Sequence, residues 1–181
     1  MKVNETKLKD CFVIDPVIHE DARGFFMENF NQKAFNSATN TNFQFVQDNY
    51  SSSKLSVLRG LHYQHQFPQA KLVSVTTGKI FDVAVDLRQS SPSFGKWFGT
   101  VLSVENKKQM WIPAGFAHGF LALSENSVVQ YKATAYYTAH DEKCILWNDS
   151  GLNISWPLKD NPVLSVKDKN GSAFSDVEYF Q

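Results

Sequence analysis

Short runs of apolar residues, separated by turn residues, follow one another from Phe12 to about Trp156. Most of these runs are rich in β-branched and aromatic residues, with glycine or proline between them. Many short strands at regular spacing are typical of an all-β sandwich or barrel. Helical patterns are weak and confined to residues 32–37 and the last residues of the chain. The pattern predicts strands over residues 55–64, 70–76, 80–87, 97–104, 109–112, 120–123 and 128–136.

One segment alternates strictly between two sets of side chains. The two sets are Phe81, Val83, Val85 and Leu87 on one face, and Ile80, Asp82, Ala84 and Asp86 on the other. A period of two predicts a strand with one apolar and one more polar face. A barrel can enclose a wet, concave interior, which polar residues on otherwise apolar strands would line. The candidates for that lining are Arg59, His62, Lys71, Asp82, His118 and Tyr131.

Length and charge narrow the classes of function. The chain has 181 residues, which suits a single domain over residues 1–181 with a sizeable core. Its 18 basic and 18 acidic residues balance, so we expect no nucleic-acid partner and no attraction to a membrane. An anionic ligand must therefore meet a local cluster of Arg and Lys. No apolar run approaches the ~20 residues that span a bilayer, and the N-terminus lacks a signal-peptide pattern, so we expect a cytoplasmic protein.

Cysteine usage adds little to this picture. Cys11 and Cys144 lie far apart in the sequence. They form neither a disulfide framework nor a CxxC metal-binding spacing.

The segment around His62 combines two functional side chains. A histidine on a strand is more often structural than catalytic, although its ordinary pKa suits it to acid–base work. Arg59 lies three residues away, so on a straight strand the two side chains would face opposite sides. A bend at Gly60 could bring both into one cavity. The spacing alone leaves both arrangements open.

A second segment, residues 112–120, resembles the second motif of cupins, which are small jelly-roll barrels. It has a Pro-x-Gly turn that delivers His118 into the next strand. Cupin metal sites combine three histidines with a glutamate. Here His62 and His65 are spaced H-x-x-H, and Lys71 stands where the glutamate would be expected. A lysine is unsuited to bind a divalent metal at neutral pH, so we expect no metal site.

Without a metal, His62, Lys71 and Tyr131 suit proton abstraction next to a carbonyl. A base removes the acidic proton, a cation stabilises the enolate oxygen, and an acid returns a proton to the other face. Each residue also has a structural interpretation. Lys71 could extend its ammonium to the surface, and Tyr131 could pack on a strand.

Several motifs, taken together, resemble the dTDP-4-dehydrorhamnose 3,5-epimerase family. They include Asp-Ala-Arg-Gly-Phe-Phe-Met-Glu at residues 21–28 and Leu-Arg-Gly-Leu-His-Tyr-Gln at residues 58–64. Their number, order and spacing make the resemblance specific, and it covers nearly the whole chain. The other matching segments are residues 47–51, 70–73, 78–88, 113–120, 131–132, 147–149 and 164–168.

The resemblance implies an all-β, cupin-like jelly-roll barrel with a few short helices, usually a homodimer, that uses no metal or nicotinamide cofactor. The implied reaction epimerises C3 and C5 of a dTDP-4-keto-6-deoxy-hexose in dTDP-L-rhamnose or related deoxysugar biosynthesis. By resemblance, His62 is the general base and Asp168 its orienting carboxylate. Lys71 would stabilise the enolate at O4, and Tyr131 would reprotonate from the opposite face.

The resemblance also implies a set of binding residues. Diphosphate or sugar contacts would come from Arg23, Arg59 and Lys167. Further substrate-lining positions are Glu28, Gln47, Asn49, His118 and Glu142. Asp82 would support His118, and Tyr137 would stack on the thymine base.

The segment after Glu142 departs from the family pattern. Cys144 stands where the family has a glycine, and Leu146 stands where it has an arginine. This departure concerns the local backbone and the nucleotide edge of the site rather than the proton-transfer residues.

Three alternatives remain open from the sequence. A relative that epimerises only C3 or only C5, or that uses another nucleotide sugar, would carry the same histidine, lysine and tyrosine. A metal-dependent cupin would be distinguished by metal analysis of the purified protein. A non-catalytic sugar-binding jelly roll would have no need of an opposed acid and base.

Overall fold

Thirteen strands and two short α-helices make up the computed structural model, which describes all 181 residues. Six strands form the first sheet, five the second, and two a separate hairpin. The strands are β1 (Lys2–Glu5), β2 (Phe12–Asp15), β3 (Ile18–Asp21), β4 (Gly24–Met27), β5 (Gln47–Ser53), β6 (Leu58–Gln64), β7 (Lys71–Thr77), β8 (Lys79–Asp86), β9 (Trp97–Ser103), β10 (Gln109–Ile112), β11 (Phe116–Ala122), β12 (Ser127–Ala133) and β13 (Glu142–Cys144). The helices are α1 (Gln32–Thr39) and α2 (Val166–Lys169), followed by a 3-10 turn at Phe174–Asp176.

Neighbouring strands in each sheet are mostly distant in sequence and pair antiparallel. The first sheet has the order β1-β2-β10-β7-β12-β5, and the second has the order β13-β6-β11-β8-β9. Such crossing connections between two facing sheets are those of a jelly roll. The all-β, cupin-like prediction is therefore confirmed. None of the helices combines the length and apolar composition needed to cross a membrane.

The main core lies between the two sheets. Inward-facing side chains of the first sheet, such as Val73 and Val129, pack against Ile80 and Ala84 of the second. A second core covers the outer face of the second sheet, where Val83, Val85 and Leu87 meet the segment after β13. That segment contributes Ile145, Leu152, Trp156, Phe174 and Phe180.

On the inner face of the same sheet, the prediction of a more polar face on β8 is only half correct. The alternation is present, but Asp82 and Asp86 are both fully buried. Burying a carboxylate is costly unless it finds charged or hydrogen-bonding partners. Asp86 has Arg88 Nε at 2.9 Å and the hydroxyl groups of Ser91 and Ser93 at 2.6 Å each.

The predicted strands are all present, with shifted ends. Residues 109–112 form β10 as predicted, whereas the strand expected at 120–123 already begins at Phe116, directly after the turn at Gly115. Helix α1 covers the predicted residues 32–37 and is capped by the Asn31 side chain, which accepts from the Ala34 amide. The strands that the pattern did not predict are β1, β2, β3, β4, β5 and β13.

A register shift at Gly60 bends β6 toward the barrel interior. His118 of β11 faces His62, but Phe120 faces Arg59, so one residue is added on one side. Gly60 has φ +116°, and a Cβ there would lie 2.6 Å from the Gly119 Cα. Glycine is therefore required at this bend. The bend brings Arg59 and His62 into one cavity, which resolves the question that their spacing left open.

Candidate active site

One end of the barrel holds a cavity of about 370 Å³ between the two sheets. Its walls are mainly polar, as expected for a wet barrel interior. Ten of the predicted site residues line it, namely Asn49, Arg59, His62, Lys71, His118, Tyr131, Tyr137, Glu142, Lys167 and Asp168.

His62 and Asp168 form a close pair of titratable groups in the cavity. His62 lies on β6, and Asp168 lies in α2, whose residues contact β6 from the C-terminal segment. His62 Nε2 is 2.9 Å from Asp168 Oδ1. The oxygen lies to one side of the ring's N–H direction, so the two atoms are in close polar contact but do not form a linear hydrogen bond. The pair leaves Nδ1 as the free imidazole nitrogen, 3.8 Å from Glu142 Oε1.

Asp168 is held in place by further hydrogen bonds. The Ser165 hydroxyl donates to Asp168 Oδ2 at 2.6 Å and accepts from the Asp168 amide, while the Gly60 amide donates to Oδ1 at 3.0 Å. Burial alone would raise the pKa of this carboxyl. The contacts with His62, Ser165 and Gly60 outweigh burial and lower the pKa to about 2. Asp168 is therefore a fixed negative charge beside the imidazole at neutral pH.

Lys71 and Tyr131 lie together on the opposite sheet. Both side chains point inward from the neighbouring strands β7 and β12, and Lys71 Nζ is 5.7 Å from the centre of the Tyr131 ring. Burial lowers the pKa of Lys71 to about 8, so this ammonium is still mostly protonated at pH 7. Burial, and then the charge of Glu142, raise the pKa of Tyr131. Its phenol is therefore a neutral proton donor at pH 7.

His118 forms a second histidine–carboxylate pair, deeper in the barrel. Its Nε2 lies 2.7 Å from Asp82 Oδ1, and Asp82 is fully buried. Asp82 lies behind His118 and does not reach the cavity wall itself. This pair holds the orientation of the His118 ring at the cavity wall.

The mouth of the cavity carries a network centred on Glu142. Its Oε2 accepts from the Tyr137 hydroxyl at 2.8 Å and from Lys167 Nζ. Burial raises the pKa of Glu142, but the contacts with Lys167 and Tyr137 outweigh burial and lower it. Arg59 lies at the same mouth and donates to the Ser53 hydroxyl at 3.0 Å. A chain with no net charge thus has a local group of cations where an anion could bind.

Comparison with known proteins agrees with this geometry. A protein-family model described as dTDP-4-dehydrorhamnose 3,5-epimerase matches residues 5–176. The chain belongs to this family. It is 53% identical to the dTDP-4-dehydrorhamnose 3,5-epimerase of Pseudomonas aeruginosa over 180 residues, which cover 99% of both chains.

Solved structures of epimerases from this family have the same fold. The dTDP-4-dehydrorhamnose 3,5-epimerase of Elizabethkingia anophelis has a TM-score of 0.94 and 49% identity, and the match covers 99% of both chains. The dTDP-6-deoxy-D-glucose-3,5-epimerase of Legionella pneumophila, solved in complex with dTDP-4-keto-L-rhamnose, has a TM-score of 0.95 and 46% identity. That match covers 98% of this chain and 94% of the Legionella chain.

Two predicted binding residues, Arg23 and Glu28, lie outside the cavity. The β3–β4 hairpin pairs only with itself and projects from the barrel. Arg23, at its turn, has an 89% exposed side chain that pairs with Asp21. Glu28 follows β4 and accepts from the Asn31 side chain. Within one chain, therefore, neither residue reaches a ligand in the cavity.

Gln47 lies behind the cavity wall and contacts residues that line it. Its side chain donates to Asn49 Oδ1 and accepts from the Tyr137 amide, each at 2.8 Å. Within one chain, Gln47 does not line the cavity but supports two residues that do, and its predicted contact with substrate stays a prediction.

A cupin-type set of metal ligands does not converge. The His65 ring lies outside the cavity, with its centre 5.1 Å from that of Phe180. At its position on the cavity wall, Lys71 provides an ammonium group rather than a carboxylate. These residues fit a site for anionic oxygen better than a site for a divalent metal.

Sequence reasoning did not identify Ser165, which lines the cavity beside Asp168. A local signal was present, because Ser165-Val166-Lys167-Asp168 has the serine and acid spacing of a capping box. Ser51 and Gln69 also line the cavity and carried no such signal.

We predict that Ser165→Ala lowers the free energy of unfolding by about 1 kcal/mol at pH 7, because the N-cap and a partner of Asp168 are lost. The folded-state pKa of Asp168 is about 2, below its ordinary value of 3.8, so its stabilising contribution is present above pH 4 and is lost as pH falls toward 2. The difference between variant and parent should therefore shrink between pH 7 and pH 3. Urea unfolding at both pH values measures this difference.

Ser175→Ala is the matched control, because the exposed Ser175 hydroxyl contacts only Asp176. It should change stability by less than about 0.5 kcal/mol at either pH. Equal losses in the two serine variants would contradict the role given to Ser165.

Proposed function

We propose that this chain is a dTDP-4-dehydrorhamnose 3,5-epimerase in which His62 and Tyr131 are the base and the acid. It removes the protons at C3 and C5 of a dTDP-4-keto-6-deoxy-hexose and returns a proton to the opposite face of each carbon. The observation that carries the assignment is the placement of His62 and Tyr131 on opposite sheets, facing one cavity. Inversion of a carbon centre requires a proton acceptor and a proton donor on opposite sides of the sugar ring.

His62 is the general base in this proposal. The protons at C3 and C5 are acidic because both carbons adjoin the C4 ketone. When the imidazole takes one of them, it becomes a cation, and the charge of Asp168 at 2.9 Å stabilises that cation. The low pKa of Asp168 means that the proton stays on His62 rather than moving to the carboxylate.

Lys71 stabilises the enolate. Loss of the proton moves negative charge to the C4 oxygen, and a buried ammonium in a poorly hydrated cavity stabilises such charge strongly. His118 lies on the opposite sheet at the same cavity and could donate a second hydrogen bond. Both groups are held in position before substrate arrives, so little reorganisation is needed during the reaction.

Tyr131 returns the proton. Its raised pKa keeps it protonated until the enolate carbon is ready to accept. The tyrosinate that remains would lie beside Lys71, whose charge lowers the free energy of that state. Solvent then restores the phenol and the neutral imidazole for the second carbon.

The nucleotide half of the substrate fits the mouth of the cavity. Arg59 and Lys167 would bind the diphosphate, for which guanidinium and ammonium groups are suited. The 51% exposed ring of Tyr137 offers a flat surface for thymine stacking. Asn49 and Glu142 line the walls between these groups and the sugar.

Arg23 and Glu28 lie outside the cavity of their own chain, and this placement supports a homodimer. The hairpin that carries them also exposes Phe25 and Phe26, at 53% and 70%. Exposed aromatic side chains on a projecting hairpin are typical of a contact with another chain. In a two-fold dimer, each hairpin could reach the cavity of the partner and deliver Arg23 to the bound nucleotide.

An exchange experiment in deuterated water tests the reaction. With dTDP-4-keto-6-deoxyglucose, the wild-type protein should incorporate deuterium at both C3 and C5, as followed by NMR. His62→Ala should lower both rates by about 10²-fold or more, because the base is lost. His140→Ala, which removes an exposed histidine outside the cavity, is the control and should react as wild type.

Each outcome has a definite meaning. Label at one carbon alone would identify an epimerase of C3 only or C5 only. Label at neither carbon would mean that the nucleotide sugar or the catalytic assignment is wrong. Unchanged exchange in His62→Ala would remove His62 from the role of base.

The role of Tyr131 is tested by separating exchange from inversion. In Tyr131→Phe, His62 can still remove a proton and return deuterium to the same face. We therefore expect deuterium incorporation to persist while formation of the inverted product slows by about 10²-fold or more. The neighbouring Tyr136→Phe, at a 68% exposed position, should change neither rate. Equal slowing of exchange and inversion in Tyr131→Phe would argue against Tyr131 as the opposite-face acid.

The dimer proposal is tested by mixing two inactive variants, Arg23→Ala and His62→Ala, after separate purification and subunit exchange. If the hairpin serves the partner's cavity, each heterodimer has one intact site. Half of the dimers in an equal mixture are heterodimers, so about a quarter of the sites should be active. No recovery despite subunit exchange would show that Arg23 does not act across the interface.

A further inference from the structure

Beside the proposed catalytic pair lies a third potential ligand, Cys144. Strand β13 pairs with β6 so that Cys144 is directly opposite His62, which places the two side chains on the same face of the sheet. Helix α2 brings Asp168 to the same place. The Sγ, the imidazole nitrogen and the carboxylate oxygen all lie within 4.8 Å of one another.

We propose that His62, Cys144 and Asp168 form an inhibitory site for Zn²⁺ and similar thiophilic divalent cations. The site goes beyond the proposed function, since the reaction requires no such ion and the ion would stop it. One nitrogen, one sulfur and one carboxylate oxygen are the donor types that Zn²⁺ prefers, with a fourth position left for water.

The geometry of His62 favours a ligand at this point. Its Nε2 is buried and has no aligned hydrogen-bond partner, because Asp168 Oδ1 lies beside the in-plane direction in which this nitrogen points rather than along it. A cation along that direction would contact both atoms. The three donor atoms already lie within 4.8 Å of one another. Small side-chain rotations would place each of them at the roughly 2.0–2.3 Å from a central ion that Zn²⁺ requires.

Local charge favours a cation as well. The carboxylates of Asp168 and Glu142 both lie beside His62, with oxygen atoms 2.9 Å and 3.8 Å from its two ring nitrogens. When the ion binds, the thiol proton leaves to solvent and a sulfur–metal bond forms, so that thiolate and carboxylate together neutralise the charge of Zn²⁺. The His62 side chain is 25% exposed and lines the cavity, which gives the ion a path from solvent.

Inhibition follows from the groups that the ion would occupy. Coordination through Nε2 leaves the imidazole proton on Nδ1, the nitrogen that would act as base, and it also engages the carboxylate of Asp168. The base and its partner are therefore lost together. Cys144 itself does not line the substrate cavity. Its removal should therefore abolish metal sensitivity without changing the reaction, and a chain with the glycine typical of the family at this position would lack the site.

The test uses tag-free protein, Co²⁺ and Zn²⁺ as probes, and Cys144→Ser as the variant. Co²⁺ should bind with a thiolate-to-cobalt charge-transfer band that Zn²⁺ displaces, and Cys144→Ser should lack that band. This spectroscopic readout needs no substrate, so its failure is distinguishable from failure of the proposed reaction. Cys11→Ala removes the other, fully buried thiol and should keep the band.

Initial rates provide the second readout. Zn²⁺ should inhibit the wild-type protein, EDTA should reverse the inhibition, and Mg²⁺ should have no effect because it prefers oxygen ligands. Loss of a direct ligand should weaken inhibition of Cys144→Ser at least as much as the roughly 10–100-fold that loss of an outer-shell partner costs. Equal inhibition of both proteins, no inhibition of either, or a Co²⁺ spectrum without a thiolate band would each overturn the proposal.

Discussion

The site depends on one buried carboxylate. Asp168 is 2% exposed, and a charge so far from solvent persists only where other groups replace its hydration. Its partners come from three places: His62 on β6, the Gly60 amide at the bend of the same strand, and Ser165 at the start of α2. The contacts with His62 and Gly60 join residues more than 100 positions apart in the sequence. Because Asp168 contacts His62 and Gly60 of β6, the C-terminal segment that carries it must lie over the second sheet. The same contacts require His62 to face the cavity.

The need to hold Asp168 in place also explains why the second sheet is buried on both faces. On its inner face, Asp82 is paired with His118, which orients a second imidazole at the cavity wall. On its outer face, apolar side chains such as Val83 and Val85 are covered by the C-terminal segment. That cover brings α2 to the edge of the barrel, where its first turn meets β6. The packing of an apolar surface and the placement of the proposed catalytic carboxylate, Asp168, are thus consequences of a single chain path.

The sequence allowed prediction of most of the fold, but of less of the site. Alternation and β-rich runs predicted β6 to β12, because their inward side chains are apolar and regularly spaced. Strand β5 was not predicted, because Gln47-Asp48-Asn49-Tyr50-Ser51-Ser52-Ser53 is polar on both faces and is held by pairing with β12 alone. The pairing of Asp168 with His62 could be expected only from family resemblance, because no local pattern links two residues so far apart. The positions of Arg23 and Glu28 could not be predicted from one chain, since the hairpin that carries them joins neither of the two large sheets.

The chemistry follows from the sandwich itself. Two facing sheets lie about 10 Å apart, which leaves room for one sugar ring between inward-pointing side chains. A base on one sheet and an acid on the other then approach the ring from opposite faces without any moving part. In the proposed reaction, His62 on β6 and Tyr131 on β12 would meet this condition, and Lys71, next to Tyr131, would place a cation near the shared ketone of both reacting carbons. Because C3 and C5 flank the same carbonyl, one set of residues can serve both after a small shift of the ring. In the proposed reaction, the choice between one and two carbons would therefore depend on the shape of the cavity, which Phe120 and Gln69 help to line, rather than on the proton-transfer groups.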